Sequence, residues 1–277
     1  MQNIQFSVLM STYYNDNPIH LKEALDSIFH QTYPPSEVVL VEDGILTKKL
    51  YEVLDIYIER YKGIFKRVKI NKNSGLGNAL NIGLNNCSFE LVARMDSDDI
   101  CVRDRFEKQY NFLINNPNVA VLGTIVEEFN KKIGDLSILR KSPCDYLKIL
   151  KYSKFRNPFN HPTVMFRKNM ILKADSYESV PFFEDYYLWI KLLNNGVLIQ
   201  NLNEPLLYFR IGNDLISRRS GFRYLKNEFN FLLKIYKIGF INFHELVINI
   251  ILKSPIRLCP NFFILFIYKN VLRIRSR

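Results

Sequence analysis

Residues 91–99 read LVARMDSDD. Leu91 to Met95 form a short, mostly apolar run of the length of a buried strand, and three aspartates, Asp96, Asp98 and Asp99, follow within four positions. Charge at the end of a buried strand needs a reason, because crowded carboxylates repel one another unless a cation lies among them. Earlier stretches repeat the pattern. FSVLMS (6–11) runs into Thr12, Tyr13, Tyr14 and Asn15; VVLV (38–41) into Glu42-Asp43-Gly44; RVKI (67–70) into Asn71, Asn73, Ser74 and Gly75. Between these runs, apolar residues recur at helical spacing. Leu21, Ala24, Leu25 and Ile28 follow the cap signal Asn15-Asp16-Asn17-Pro18, then come Leu50, Val53, Leu54 and Tyr57, then NALNIGLNN (78–86). DRFEKQYNFLIN (104–115) adds a helix and VAVLG (119–123) a fifth strand. Strand and helix in alternation predict an α/β fold, a mostly parallel sheet with helices on both faces.

Open α/β sheets bind ligands at the carboxyl ends of their strands. The strand ends here gather hydroxyls, amides and five carboxylates, from Thr12 through Glu42 and Asp43 to Asp96, Asp98 and Asp99. Asp98 or Asp99 could serve simply as the cap of a helix starting near residue 103, but capping does not account for the whole cluster. A hard divalent cation does, since Mg²⁺ and Mn²⁺ take oxygen ligands and share them with substrate phosphates. Asp96-x-Asp98 then reads as a clamp for a metal–diphosphate. No GxxxxGK[ST] stretch is present, and NSGLGNAL places Leu80 where a dinucleotide fingerprint needs its third glycine. Glu184-Asp185, at the head of the helix predicted over DYYLWIKLLNN (185–195), offers a carboxylate for base chemistry on a rigid mount or a simple helix-dipole partner.

The chain has 277 residues, 48% hydrophobic and 23% charged, the balance of a globular protein with a sizeable core. Cys87, Cys101, Cys144 and Cys259 show no metal-ligand spacing, and scattered thiols fit a reducing compartment. The net charge of +11 is uneven: residues 1–204 carry 25 Lys+Arg against 24 Asp+Glu, residues 205–277 carry 13 against 3. That last quarter is also apolar, but its longest apolar run, Phe262 to Tyr268, is far short of the ~20 residues of a membrane span. A basic amphipathic region of this kind suits an anionic membrane surface. Nucleic acid is not expected, because no recognition motif accompanies the charge. Three regions follow: 1–125, an α/β half whose strand ends form the candidate ligand rim; 126–215, the second half of the same domain, which carries Glu184-Asp185; and 216–277, a basic amphipathic helical extension suited to a membrane surface.

Taken together, STYYN, VEDG, NSGLGNALNIG, ARMDSDD and FFEDYYLWIKLL resemble a family 2 glycosyltransferase of the GT-A (Rossmann-like) fold, over roughly residues 5–212. HPTVMFRK (161–168) is similar to bacterial transferases of O-antigen and exopolysaccharide assembly. Glu42-Asp43 stands where the family often has two aspartates, and Leu80-Asn81 where it often has an arginine before the asparagine. The resemblance implies that Thr12, Glu42 and Asp43 hold the uracil and ribose of a nucleotide sugar, with Asn73, Gly75 and Asn78 lining the cleft. Asp96 would contact ribose, sugar or metal, Asp98 would bind the metal, and Asp99 would hold the donor sugar or orient the loop. Asp185 would be the general base, with Glu184 beside it in acceptor binding. His161 is expected in contact with donor or acceptor. Arg210, Arg218 and Arg219 are expected as a lid on the nucleotide or a grip on a lipid diphosphate.

The reaction so implied is transfer of a hexose, with galactose favoured, from a UDP-sugar to a polyprenyl-diphosphate-linked saccharide. It would depend on Mn²⁺ or Mg²⁺, invert the anomeric centre and form a β-glycoside. The chain would work as a peripheral protein on the cytoplasmic face of the inner membrane. Two other readings remain at this point: a sugar nucleotidyltransferase, though STYYN replaces the Gly-rich basic loop that enzyme wants, and a non-catalytic membrane-associated nucleotide-sugar-binding protein.

Overall fold

Alternation along the first strands decides which helix packs where. In a computed structural model describing residues 5–212, 220–258 and 274–275, β1 (Ser7–Thr12) and β2 (Glu37–Asp43) are buried along almost their whole lengths. Their side chains leave on opposite faces in turn. Val8, Met10, Val38 and Leu40 face Leu21, Leu25 and Ile28 of α1 (Pro18–Phe29) and Leu50 and Leu54 of α2 (Lys48–Arg60). Leu9, Val39 and Val41 face Leu80 and Leu84 of α3 (Leu76–Asn86) on the other side. Each such side chain taken from water contributes about 1.5–3 kcal/mol. The cap signal before α1 forms as expected: Asn17 accepts the Ile19 amide at 2.8 Å and Pro18 opens the helix.

β3 (Phe65–Ile70) and β4 (Leu91–Met95) complete the parallel core, in the order β3-β2-β1-β4. β5 (Ile100–Cys101) and α4 (Arg105–Asn115) lead to β6 (Val121–Phe129) and β7 (Ile138–Arg140). α5 (Tyr146–Tyr152), a 3-10 turn (His161–Thr163), β8 (Met165–Arg167), α6 (Lys168–Lys173), α7 (Glu184–Asn194) and β9 (Ile199–Arg210) follow. The helical extension is α8 (Gly221–Lys237) and α9 (Phe243–Leu258), and β10 (Ile274–Arg275) pairs with β7.

The expected α/β class holds, and the helices cover both faces. The second half of the sheet departs from simple parallel order. β8 enters antiparallel between β4 and β6, so the fifth expected strand is not β4's neighbour. Only three residues long, β8 carries no periodicity a sequence reading can detect. β9 runs parallel to β6 and antiparallel to β5, which brings Arg210 back to the acidic stretch. α8 docks on α7 through aromatic contacts, Phe231 stacking on Phe183 at 4.7 Å and tilting against Tyr186 at 4.8 Å. No helix among the described residues is long and apolar enough to cross a membrane.

Gly83 allows α3 to lie close on the sheet: a Cβ there would fall 2.4 Å from Leu9 Cδ1 and 2.7 Å from Val41 Cγ2. Gly83→Val overpacks this contact and lowers stability by about 1–3 kcal/mol in denaturant unfolding; unchanged stability would mean that α3 does not seat as described.

Candidate active site

The four parallel strands end on one rim. Their register sets Thr12 opposite Glu42, Met10 opposite Met95 and Asp43 opposite Ile70, so the residues that follow converge. Asp43 organises the loop after β3. Its carboxylate accepts the Ser74 amide at 2.7 Å, the Ser74 hydroxyl at 2.9 Å, the Gly75 amide at 3.1 Å and the Asn73 side-chain amide at 3.0 Å. The loop is drawn down over the strand ends, and Gly75, at φ 86°, turns it into α3. Glu42 is buried and paired with Arg67, which also donates to Asp55 at 2.6 Å. Asn78 is exposed on the first turn of α3.

Thr12 introduces a residue that the sequence reading treated only as a cap. The Thr12 hydroxyl donates to Asp16 at 2.9 Å, and the Ser97 hydroxyl donates to the same carboxylate oxygen at 2.7 Å. Asp16 therefore ties the turn after β1 to the turn after β4. Burial, and to a lesser degree the Asp96 charge, raise its pKa.

Asp96, Asp98 and Asp99 bring carboxylate oxygens within 4.8 Å of one another. They differ in setting. Asp96 forms an ion pair with Arg94, whose guanidinium is buried in the sheet. Asp98 is exposed on the loop, and its pKa is raised to about 7 by partial withdrawal from water and by the Asp96 and Asp16 charges. Asp99 is fully buried; one oxygen accepts the Arg210 amide at 2.9 Å, and the other has no partner among the described residues. Burial and the two neighbouring aspartates hold its pKa well above the carboxylate range. All the donors are hard oxygens, and an orphaned buried oxygen sits beside two accessible carboxylates, so the set fits a divalent cation. Asp99 caps no helix: the backbone continues into β5, and α4 begins behind Asp104.

Arg210 lies behind the acidic loop, and this departs from the lid expected of it. Its guanidinium donates to the Asp98 carbonyl at 2.8 Å, pairs with Glu23 at 2.5 Å and stacks on Phe129 at 4.5 Å. It fastens the loop in place. Arg218 and Arg219 lie outside the described residues.

The second half supplies the other wall. Glu184 and Asp185 open α7, where the helix dipole favours negative charge. Asp185 accepts the Asn157 amide at 2.7 Å. Burial raises the Glu184 pKa, with the Asp185 charge adding to it. A Cβ on Gly77 would lie 3.2 Å from Glu184 Cγ, so the first turn of α3 and the head of α7 touch. Asn81 clips the two halves together, donating to the Tyr177 carbonyl at 2.7 Å and accepting the Tyr177 amide at 3.0 Å. Burial raises the pKa of the Tyr177 phenol, with Arg94 opposing and the Asp185 and Asp96 charges adding to it, and the phenol meets His161 Nε2 at 3.0 Å. His161 also lies edge-on to Trp189 at 6.1 Å, and burial, then Arg94, keep its ring neutral. His161 thus sits in the wall behind Tyr177. The sequence reading gave no site role to Asp16, Gly77, Asn81, Asn157 and Tyr177, which show their part only through contacts between distant segments.

The family model for glycosyl transferase family 2 matches residues 7–178. A UDP-Gal:alpha-D-GlcNAc-diphosphoundecaprenol beta-1,3-galactosyltransferase of Escherichia coli is 42% identical over 269 residues, 97% of each chain. The amylovoran biosynthesis glycosyltransferase AmsE of Erwinia amylovora is 35% identical over 96% of this chain and 98% of its own. Among solved structures, S. aureus TarS 1-349 in complex with UDP-GlcNAc matches with a TM-score of 0.64 at 20% identity, over 83% of this chain and 66% of that one. The mannosyltransferase PcManGT from Pyrobaculum calidifontis, in complex with GDP-Man and Mn²⁺, matches with a TM-score of 0.60 at 17% identity, over 95% of this chain and 78% of that one. These two structures speak for the fold.

A carboxyl whose pKa rises on folding favours the protonated form in the folded chain. Without metal, the Asp98 contribution to stability is therefore lost as pH rises from the unfolded value of 3.8 through about 7. In EDTA, Asp98→Asn gains melting temperature relative to wild type between about pH 4 and about pH 7; a difference that stays flat over that window contradicts the crowding described here.

Proposed function

The chain belongs to glycosyl transferase family 2, and from that premise we propose that it transfers galactose from UDP-galactose to a sugar linked through diphosphate to a polyprenyl lipid, with inversion. The observation that carries this reading is a single rim with carboxylates of two kinds. On one side stand Asp96, Asp98 and Asp99, with oxygens within 4.8 Å of one another; on the other stands Asp185, mounted on a helix head and oriented by Asn157. The galactosyltransferase relative, alike over almost the whole of both chains, supports the donor and the acceptor class.

In this reading the uridine lies over the ends of β1 and β2, near Thr12 and Glu42. Asn73, Gly75 and Asn78 flank it on the loop that Asp43 holds down. Asp98 and Asp96 would hold a divalent cation, with the second oxygen of Asp99 behind them. Bound there, the cation would neutralise charge on the departing diphosphate. Arg94 holds Asp96 in an ion pair, and Arg210 keeps the loop from retreating.

The acceptor hydroxyl meets Asp185. As its oxygen bonds to the anomeric carbon, the carbon–oxygen bond to the diphosphate breaks, UDP leaves and the hydroxyl proton passes to the Asp185 carboxylate. A positioned base of this kind contributes about 10²–10⁴-fold. Attack from the face opposite the leaving group converts the α-linked donor into a β-glycoside. Glu184 borders the acceptor side, and His161 supports Tyr177 in the wall. Peripheral membrane contact fits the same reading: α8 and α9 expose Phe222 (75%), Ile251 (63%) and Leu252 (60%), with Arg223 and Lys226 on α8. The remainder of the basic tail lies mostly outside the described residues.

Asp185→Asn keeps the shape of the side chain and removes the base. Turnover with a diphosphate-linked acceptor falls by about 10²–10⁴-fold, while calorimetric UDP binding stays within a few-fold of wild type. Retention of most turnover would remove Asp185 from the role.

A further inference from the structure

Asp16 uses the two oxygens of its carboxylate differently. One accepts the Thr12 hydroxyl at 2.9 Å, the Ser97 hydroxyl at 2.7 Å and the Tyr13 amide at 3.3 Å. The other accepts no hydrogen bond among the described residues. A tether between two turns needs one acceptor atom, and an asparagine supplies it without bringing a further negative charge beside three aspartates. Burial makes that charge costly, and the Asp96 charge adds to the cost. The tether therefore accounts for one oxygen of Asp16 and leaves the other, and the charge, without a purpose.

Its position supplies one. Ser97, which Asp16 holds, lies between Asp96 and Asp98 in the chain. Asp16 is close enough to the cluster for the Asp96 charge to act on it and for its own charge to act on Asp98. It nevertheless stands outside the set formed by Asp96, Asp98 and Asp99, whose oxygens lie within 4.8 Å of one another. Oxygens bound to one octahedral cation are at most about 4.2 Å apart, twice a bond of about 2.1 Å. Asp16 is thus a step behind the inner ligands, where a carboxylate meets the water on a cation rather than the cation. Mg²⁺ and Mn²⁺ keep several waters, and groups that accept from such waters orient them and strengthen binding. The buried second oxygen of Asp99, without a partner among the described residues, is an independent mark of a ligand at this cluster.

We propose that Asp16 is a positioning residue of the cation site: its open oxygen accepts a hydrogen bond from a water on the divalent cation held at Asp96, Asp98 and Asp99, while its other oxygen locks Ser97 and Thr12. This rests on the metal-dependent reading given above. The site then extends from the loop that carries the acids to the turn after β1, and one side chain serves the cation and steadies Thr12 beside the uridine.

The test is Mn²⁺ binding to the full-length protein, read from the electron paramagnetic resonance of free Mn²⁺ near neutral pH without nucleotide. Asp16→Asn keeps a carbonyl oxygen for Thr12, Tyr13 and Ser97 and puts an amide donor where the open oxygen stood. It weakens Mn²⁺ binding by about 10–100-fold. Its melting temperature in EDTA stays at or above that of wild type, because a buried charge is gone and the tether is intact. Ser97→Ala removes part of the tether and leaves the carboxylate, and it weakens Mn²⁺ binding far less. Wild-type Mn²⁺ affinity in Asp16→Asn overturns the proposal. So does an equal loss of affinity in Ser97→Ala, or a loss in Asp16→Asn that comes with a lower melting temperature in EDTA, since either makes Asp16 a tether alone. A wild type that binds no Mn²⁺ overturns the cation reading itself, and this role with it.

Discussion

Like charges confined at the end of a buried strand set the terms for this molecule. Asp96, Asp98 and Asp99 lie closer together than carboxylates stand in water, with Asp16 beside them. Nothing in that arrangement favours folding; the apolar core on both faces of the sheet offsets it. Around the cluster the chain has built restraints. Arg94 pairs from within the sheet, Ser97 and Thr12 share Asp16, and Arg210 reaches across from β9 to the Asp98 carbonyl. The restraints hold the acids in place while leaving Asp98 open to the cleft, which is what a cation site requires.

The second half of the chain makes the rim a two-sided site. α7 brings Glu184 against Gly77 of α3, and Asn81 grips the backbone of Tyr177 in both directions. The nucleotide wall and the catalytic wall are therefore one packed unit. α8 and α9 extend that unit outward, locking the Phe182–Phe183 turn under Tyr224 and resting on the segment that orients Asp185. The region that the sequence marks as basic thus packs against the turn and the segment that position Glu184 and Asp185.

What was legible in the sequence was what repeats locally. The short apolar runs of β1, β2 and β4 and the helical spacing of Leu21, Ala24, Leu25 and Ile28 predicted the parallel core and its first helix, and the clustered acids after Met95 marked the rim. The antiparallel entry of β8 was not legible, because a three-residue strand between longer neighbours has no period. Arg94 read as one letter in an apolar run, yet it is the buried counter-charge of Asp96. Asp16 read as a cap, and only the fold brings it to Ser97. Asn157 and Asn81 work through partners 28 and 96 residues away, and no local pattern announces such pairs. Arg210 was expected as a lid on the nucleotide or a grip on a lipid diphosphate, and its partners place it behind the loop.

The central claim is that the acidic rim makes this chain a metal-dependent UDP-sugar transferase. The most direct measurement is UDP release from a panel of UDP-sugars by the purified protein, with a short diphosphate-linked acceptor, in Mn²⁺ and in EDTA. The account predicts release from UDP-galactose ahead of the other donors, abolished by EDTA and restored by added Mn²⁺. Release that persists at full rate in EDTA would contradict it.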